Sequence, residues 1–161
     1  ALGRRGKDWD VVLTSPRSQC LAFAEWFTQK NGLPLEQDER WREIHFGAWE
    51  GCAPQQVMTT HPELLAQWWA NPACCTVPDG ESFTAFRDRV LEAWLELPKA
   101  HKGRRVLVVT HAHVIRVILA EVLQMADERL LALNIEYGTL SHLRILRDRS
   151  GEWASLLRHG C

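Results

Sequence analysis

Two short, unbroken apolar runs, each followed by a polar turn and a helical pattern, constrain the fold of this chain most strongly. The first run is Asp10–Thr14, and Ser15-Pro16 then supplies a helix cap and a proline suited to the first helical position. The second run is Arg105–Val109, which continues through the letters THAH into a helical pattern at Val114–Met125. Apolar runs of this length are typical of strands buried on both faces of a parallel sheet. The pattern therefore predicts strand–turn–helix units of an α/β fold.

The remaining segments fit the same architecture. A helix is predicted from about Arg17 to Lys30, and a short second strand within Leu33–Ile44. From Ser82 to Leu97, apolar residues recur every three or four positions and predict an amphipathic helix. The other predicted features are a helix stop at Asn31-Gly32, a turn at Phe46–Gly51, short helical pieces divided by Pro54 and Pro62, and a terminal hairpin of Leu140–Leu146 with Trp153–Leu157.

Composition excludes several classes of protein. With 161 residues and 18.5 kDa, we expect a single domain over 1–161. A net charge of -1 leaves no surplus of positive charge to hold nucleic acid or an anionic membrane surface. No apolar run is long enough to predict a transmembrane helix. The five cysteines lack CxxC spacing, so neither a disulfide framework nor a zinc knuckle is predicted, and we expect reduced thiols in the cytoplasm.

His111 is the first candidate for chemistry, because it lies where a buried strand ends and a helix begins. Open α/β sheets bind their ligands at this edge, and the N–H groups of a helix N-terminus favour an anion. A neutral imidazole could exchange a proton there or stabilise a phosphoryl group, and a polar loop histidine with a backbone partner is the alternative. His113 would permit a pair of metal ligands, but no further ligand cluster follows a strand, so we predict no metal site.

Other segments supply further candidates with two interpretations each. Arg17 would face the same crevice as His111 if the two strands are neighbours, and a solvated first-turn arginine is the alternative. Glu81 precedes the long amphipathic helix and either complements its dipole or reaches into the site as a proton donor. Trp68 and Trp69 either form an apolar wall over a ring-bearing substrate or pack in the core.

Taken together, these segments resemble the histidine phosphatase superfamily, whose fold is also called phosphoglycerate-mutase-like. The resemblance rests on the letters DVVLTSP, EIHFGAWEG, PDGES and VLVVTHAHVIR, which occur in the family's order over nearly the whole chain. It implies a three-layer α/β/α sandwich and a phosphomonoester hydrolase that forms a phosphohistidine and needs no metal or other cofactor. FGAWEG, the tryptophan-bearing middle and PDGES look most like the alpha-ribazole phosphatases of cobalamin biosynthesis. The alternatives are a phosphoglycerate mutase, a broad-specificity phosphatase, or a noncatalytic relative that binds phosphate ligands.

The resemblance also implies roles for individual residues. His111 matches the family's second histidine, which neutralises the phosphoryl oxygens together with arginines and backbone N–H groups. Glu81 matches the acid that protonates the leaving oxygen. Arg17 and Ala112, a small residue as the family has there, are the expected phosphate-binding residues. The expected partner is a small phosphorylated substrate.

The chain departs from the family pattern at several positions. No Arg-His-Gly motif, which carries the family's nucleophilic histidine after a first strand, precedes Asp10. We therefore expect a fragment that lacks its first strand, is inactive alone, and is poorly soluble because strand edges are left open. The expected phosphate-binding arginine is replaced by Gln19, so only Arg17 nearby could substitute, and His113 is bulkier than the usual glycine. Arg158-His159-Gly160 repeats the motif's letters, by chance or through circular permutation.

Overall fold

A parallel sheet of three strands organises the computed structural model, which describes residues 8–149 and 151–160. The strands are β1 (Val11–Thr14), β2 (Leu35–Gln37) and β3 (Val106–Val109), in the spatial order β2-β1-β3. In the central strand, Val12 lies opposite Leu35 of β2 and Leu107 of β3. The two apolar runs are therefore parallel neighbours, although more than ninety residues separate them.

Five α-helices surround this sheet in the described part of the chain. Gly32 ends the first of them in the left-handed conformation, with a φ of 65°, as the helix stop predicted. Pro54 and Pro62 each begin a short helix, and the Ser82 side chain caps the long one by accepting the Ala85 N–H. The helices are α1 (Ser18–Asn31), α2 (Pro54–Thr60), α3 (Pro62–Ala70), α4 (Phe83–Ala100) and α5 (Ala112–Leu123), with 3-10 turns at Glu39–Trp41, Gly47–Trp49, Pro72–Cys74 and Asp127–Ala132.

Helices cover both faces of the sheet and create two apolar clusters. On one face, Val12 and Leu107 pack with Ala24 and Phe27 of α1. On the other face, a larger cluster is formed by α3, α4, α5 and the intervening loops, and Val108 of β3 packs against it. Burial of these apolar side chains is the main force that holds the layers together. The predicted three-layer α/β/α arrangement is confirmed.

The C-terminal segment forms a separate antiparallel hairpin. Its strands are β4 (Ser141–Asp148) and β5 (Gly151–His159), which pair from Ser141 opposite His159 to Asp148 opposite Gly151. A register irregularity lies between His142 and Leu143. The hairpin prediction is confirmed, and both strands are longer than the apolar runs that indicated them.

Several predicted boundaries differ from the structure. Of the predicted strand Leu33–Ile44, only Leu35–Gln37 is a strand, because the Asp38 side chain accepts the Arg40 N–H at 2.8 Å and starts a 3-10 turn. The predicted cap at Ser15-Pro16 was wrong, since α1 begins at Ser18 after Arg17. No helix among residues 8–149 and 151–160 combines the length and the apolar character needed to cross a bilayer.

Candidate active site

The turns after β1 and β3 meet at the carboxyl edge of the sheet. Ser15 follows β1 and donates its backbone N–H to the Val109 carbonyl of β3 at 3.0 Å. Its hydroxyl Oγ lies 2.8 Å from Nε2 of His111, the residue immediately before α5. Parallel strands end at the same edge, so side chains 96 positions apart come into contact. The serine hydroxyl predicted to cap α1 therefore contacts the candidate histidine and accepts the Arg17 N–H at 3.3 Å, one residue before the helix begins.

His111 is half-buried among groups that favour its neutral form. Burial lowers the pKa of His111 below its usual value, and the positive charges of Arg17 and Arg89 lower this pKa further, against the opposing effect of Glu43. The Cys20 thiol lies 3.6 Å from Nε2, and burial raises the pKa of that thiol to about 11. At neutral pH the site therefore holds an uncharged imidazole beside a protonated thiol.

Positive charge and helix amides face the same edge. Arg17 is exposed, lies directly before α1, and has no carboxylate partner within the described residues. Ala112 is the first residue of α5, in the turn whose N–H groups have no acceptor within the helix. Gln19 is exposed in the first turn of α1 and brings no charge. The predicted phosphate-binding residues are thus placed at the edge where an anion is favoured.

Glu43 forms a carboxylate–histidine pair with His113. Its Oε2 accepts the His113 backbone N–H at 3.3 Å and lies 3.2 Å from the ring nitrogen Nδ1. Burial by itself raises the pKa of Glu43, but the hydrogen bonds and charge of His113 outweigh it and lower that pKa. Within the described residues, no three His, Cys, Asp or Glu side chains are grouped as metal ligands. Sequence reasoning missed Glu43, although it opens the quoted segment EIHFGAWEG.

Glu81 is held by an arginine that sequence reasoning also missed. Both carboxylate oxygens of Glu81 accept hydrogen bonds from Arg89 of α4, each at 2.7 Å. The same guanidinium donates to the carbonyls of Arg40 and Arg42 at 2.9 Å and to that of Glu43 at 3.2 Å. A bidentate pair with these extra bonds is a rigid arrangement. Only the eight-residue spacing from Glu81, on the polar side of an amphipathic helix, could have indicated Arg89.

A close contact between two loops positions Glu81. A Cβ atom on Gly47 would overlap the backbone of residues 78–80, and its φ of 51° is in the left-handed region. The adjacent Ala48 N–H donates to the Pro78 carbonyl at 2.9 Å, and the Glu81 N–H donates to the His45 carbonyl at 2.8 Å. The letters FGAWEG and PDGES therefore describe two loops that pack on each other.

The adjacent tryptophans have different environments. Trp68 is buried and makes edge-to-face contacts with Phe46, at 5.3 Å between ring centroids, and with His113, at 6.1 Å. Trp69 is 56% exposed. Trp68 therefore belongs to the buried core behind His113, as the packing interpretation predicts, while Trp69 faces solvent.

The segment Arg158-His159-Gly160 lies in the C-terminal hairpin and not at the carboxyl edge of the parallel sheet. His159 ends β5, with Nδ1 2.8 Å from Ser141 Oγ and Nε2 3.1 Å from the Asn134 carbonyl oxygen. None of the described contacts joins this ring to His111. The hairpin accounts for this segment, so the structure gives no support for circular permutation.

Several known proteins similar to this chain are phosphatases. A metal-independent phosphoserine phosphatase of Arabidopsis thaliana is 33% identical over 116 residues, which are 71% of this chain and 48% of that protein. The adenosylcobalamin/alpha-ribazole phosphatase of Escherichia coli K12 is 25% identical over 140 residues, 87% of this chain and 69% of that protein. The chain spans 40% to 70% of the length of the curated relatives it matches.

A solved structure and a family model support the same relationship. The solved structure of Bacillus stearothermophilus YhfR superposes with a TM-score of 0.84 at 29% identity, covering 97% of this chain and 78% of that one. The profile of the histidine phosphatase superfamily (branch 1) matches residues 1–158. With His111 and Glu81 in the segments by which the chain resembles that family, we conclude that this protein belongs to the histidine phosphatase superfamily.

Proposed function

We propose that the site acts on phosphate monoesters, with alpha-ribazole 5′-phosphate as the substrate. The observation that carries the proposal is the contact between Ser15 and His111 at the ends of two parallel strands, 2.8 Å apart. Beside it are the exposed cation Arg17 and the first-turn amide of Ala112. A phosphate there would be stabilised by the helix N-terminus, the guanidinium and a neutral imidazole whose N–H can donate a hydrogen bond.

In this proposal Glu81 delivers the proton to the leaving oxygen. The ion pair with Arg89 holds the carboxylate in one orientation, with both of its oxygens at 2.7 Å from the guanidinium. This fixed orientation supports the role of Glu81 as the acid at the leaving oxygen.

A cluster of aromatic side chains beside the site favours a substrate with a ring. Phe46, Trp68 and His113 make mutual edge-to-face contacts at 5.3 to 6.1 Å, next to the start of α5. The aromatic base of alpha-ribazole would pack against the partly exposed rings of Phe46 and His113, behind which Trp68 is buried. The similarity to the Escherichia coli alpha-ribazole phosphatase, at 25% identity, supports the same choice.

Phosphoserine is the second candidate substrate. The similarity to the Arabidopsis phosphoserine phosphatase, at 33% identity, points to it. Glu43 provides a specific contact, because its carboxylate is 24% exposed beside His113 and would attract the ammonium group of phosphoserine. A noncatalytic role in binding phosphate ligands is the third candidate, and Gln19 in place of the expected arginine favours it.

We further propose that the chain by itself has no phosphatase activity and works in the cytoplasm. The ring of His111 contacts Ser15 and Cys20, and no other histidine ring among the described residues contacts it. The described residues therefore place no second histidine beside His111 that could form the phosphohistidine. The cytoplasmic placement rests on the thiols of Cys20, Cys52, Cys74 and Cys75, which are free.

Isothermal titration with matched ligands tests these proposals. The chain is titrated with alpha-ribazole 5′-phosphate, with alpha-ribazole and with phosphoserine, while phosphate release is measured in parallel. We expect at least tenfold tighter binding of alpha-ribazole 5′-phosphate than of alpha-ribazole, and no phosphate release. Equal binding with and without the phosphate group would exclude the phosphate site. Tighter binding of phosphoserine would favour the second substrate, and turnover would show that the chain is active alone.

A further inference from the structure

His113 lies in the first turn of α5, two residues after His111 and at the same carboxyl edge of the parallel sheet. The Glu43 carboxylate connects the two positions, because it binds His113 and its charge also acts on the pKa of His111, where it opposes the effect of burial. In the proposed function the His113 ring packs against an aromatic base, and its two nitrogens have no role. These nitrogens have different surroundings.

The Glu43 carboxylate determines which nitrogen of the neutral His113 ring carries the hydrogen. Its Oε1 accepts the Ile44 N–H at 3.2 Å, and its Oε2 accepts the His113 backbone N–H at 3.3 Å. Burial raises the pKa of Glu43, but the hydrogen bonds and charge of His113 outweigh it, so the carboxyl group is ionised at neutral pH. An ionised carboxylate donates no hydrogen bond, so Nδ1 of His113, 3.2 Å from Oε2, carries the hydrogen. The neutral ring therefore has a lone pair at Nε2.

Packing fixes the His113 ring and leaves Nε2 accessible. Phe46 and Trp68 contact the ring edge to face, with centroid separations of 5.4 and 6.1 Å. The His113 side chain is 20% exposed. Nε2 makes no hydrogen bond to any described residue and is not among the buried side-chain atoms that lack a partner, so solvent reaches it. An acceptor on a ring that is held in this way is pre-organised to bind a hydrogen-bond donor.

We propose that Nε2 of His113 accepts a hydrogen bond from a hydroxyl group in the alcohol part of the substrate. An ester of a plain alkyl alcohol would remove water from this lone pair without replacing its hydrogen bond, which is costly. A carboxylate at this position would meet both the lone pair and the negative charge of Glu43. His113 thereby determines specificity for phosphate esters of polyols and sugars, such as the ribose of alpha-ribazole 5′-phosphate. This inference rests on the proposed phosphate site and narrows its substrates to hydroxyl-bearing esters.

Two phosphate esters with the same carbon skeleton test the hydroxyl contact. Glycerol 3-phosphate carries hydroxyl groups on the other two carbons, and n-propyl phosphate carries none, while the phosphate group is the same. The full chain is titrated with each ester by calorimetry, at about pH 8 so that imidazole rings are uncharged. We expect glycerol 3-phosphate to bind about fivefold more tightly than n-propyl phosphate, which is the effect of one hydrogen bond.

Two substitutions separate recognition by His113 from a structural role. His113→Asn keeps an amide N–H near the position of Nδ1, toward Glu43, and has no atom at the position of Nε2. His113→Gln places a carbonyl oxygen near the position of Nε2 and restores an acceptor there. The preference for glycerol 3-phosphate should disappear in His113→Asn and return to about twofold or more in His113→Gln. His159→Gln is the control and should keep the full preference, because His159 contacts Ser141 and Asn134 in the hairpin.

Nitrogen NMR of the unchanged chain, with labelled histidine, gives a readout that requires no variant. Long-range proton–nitrogen correlations identify the ring nitrogen that carries the hydrogen. We expect the hydrogen of neutral His113 on Nδ1. The Nε2 resonance should move when glycerol 3-phosphate is added and stay in place with n-propyl phosphate, because acceptance of a hydrogen bond changes the shielding of that nitrogen.

The results distinguish failure of the hydroxyl contact from failure of the phosphate site. Equal binding of the two esters to the unchanged chain overturns the hydroxyl contact and leaves the phosphate site in place. A hydrogen on Nε2 of neutral His113, or a preference that persists in His113→Asn, also overturns the hydroxyl contact. Absence of binding of both esters and of inorganic phosphate overturns the proposed phosphate site and this inference with it. If the variants do not fold, the two esters and the NMR spectra decide alone.

Discussion

Two serine–histidine pairs occur in this molecule with the same separation and different surroundings. Ser15 Oγ lies 2.8 Å from His111, and Ser141 Oγ lies 2.8 Å from His159. The first pair is at the end of parallel strands, before a helix N-terminus, where the charges of Arg17 and Arg89 reach His111. The second pair is in an antiparallel hairpin, where strand dipoles largely cancel and the Asn134 carbonyl occupies the other ring nitrogen. Position in the fold, and not the pair itself, is therefore the basis of the proposed anion site.

The two regions also differ in how they are held together. Arg89 binds Glu81 and three backbone carbonyls next to the first region, and both side chains of the ion pair are about four-fifths buried. In the hairpin, the Arg147–Glu152 pair has its arginine 54% exposed. Removal of one partner lowers the stability of the fold much more in a buried, multiply hydrogen-bonded ion pair than in an exposed pair. The reason is that the remaining buried charge has no water to solvate it.

The largest expected effect is on stability and comes from Arg89→Leu. The change leaves the Glu81 carboxylate and three carbonyls without their donor, so the free energy of unfolding should fall by about 3–5 kcal/mol. Arg147→Leu in the hairpin is the control and should change it by about 1 kcal/mol or less. Urea unfolding measures both. Equal losses of unfolding free energy in the two variants would contradict the difference in how the two regions are held together.

Gly47→Ala should have the next largest effect. The new Cβ would overlap the backbone of residues 78–80, in a left-handed conformation, so the free energy of unfolding should fall by about 2–4 kcal/mol. Gly51→Ala is the matched control, because its φ is 74° and no atom lies within 4 Å of the added Cβ. It should lose only about 1 kcal/mol. A Gly47→Ala loss no larger than that of the control would mean that the two loops can separate without cost.

Substitutions of the two histidines should affect phosphate binding differently. His111→Gln should weaken the binding of inorganic phosphate at least tenfold, about 1.4 kcal/mol, because it removes the imidazole at the helix N-terminus. His159→Gln should change that binding less than twofold, since His159 contacts Ser141 and Asn134 instead. Titration calorimetry with both variants measures the difference. Weaker binding in the His159 variant would place the hairpin in the site.

The smallest effect is a pH dependence of stability. Burial lowers the pKa of His111 in the folded chain, so the unfolded chain takes up a proton more readily as the pH falls through about 6.5. Stability contributed by neutral His111 is thus present above that pH and lost below it. The unfolding free energy should fall less between about pH 7.5 and 5.5 in His111→Gln than in the unchanged chain. His159→Gln serves as the control for the loss of a histidine, and an identical pH slope in all three chains would contradict the prediction.

Local features of the sequence determined most of the secondary structure. The apolar runs before Ser15 and Thr110 are strands, Gly32 ends a helix, and Pro54 and Pro62 begin two others. These features depend on backbone conformation, capping and side-chain periodicity within a few residues, which is information that a single segment carries. The same local reasoning placed His111 at the end of a buried strand, the edge where ligands bind in α/β folds.

Tertiary structure alone decided which groups meet at that edge. Ser15 is as suitable for a helix cap as for a contact with His111, and only the pairing of β1 with β3 selects the second. Arg89 and Glu43 enter the site through contacts that span 8 to 70 residues, and Trp68 and Trp69 differ only in the side of α3 that the packing buries. His159 repeats the letters of a motif but lies in a hairpin. Contacts of this kind depend on how whole layers pack, and no short stretch of sequence contains that information.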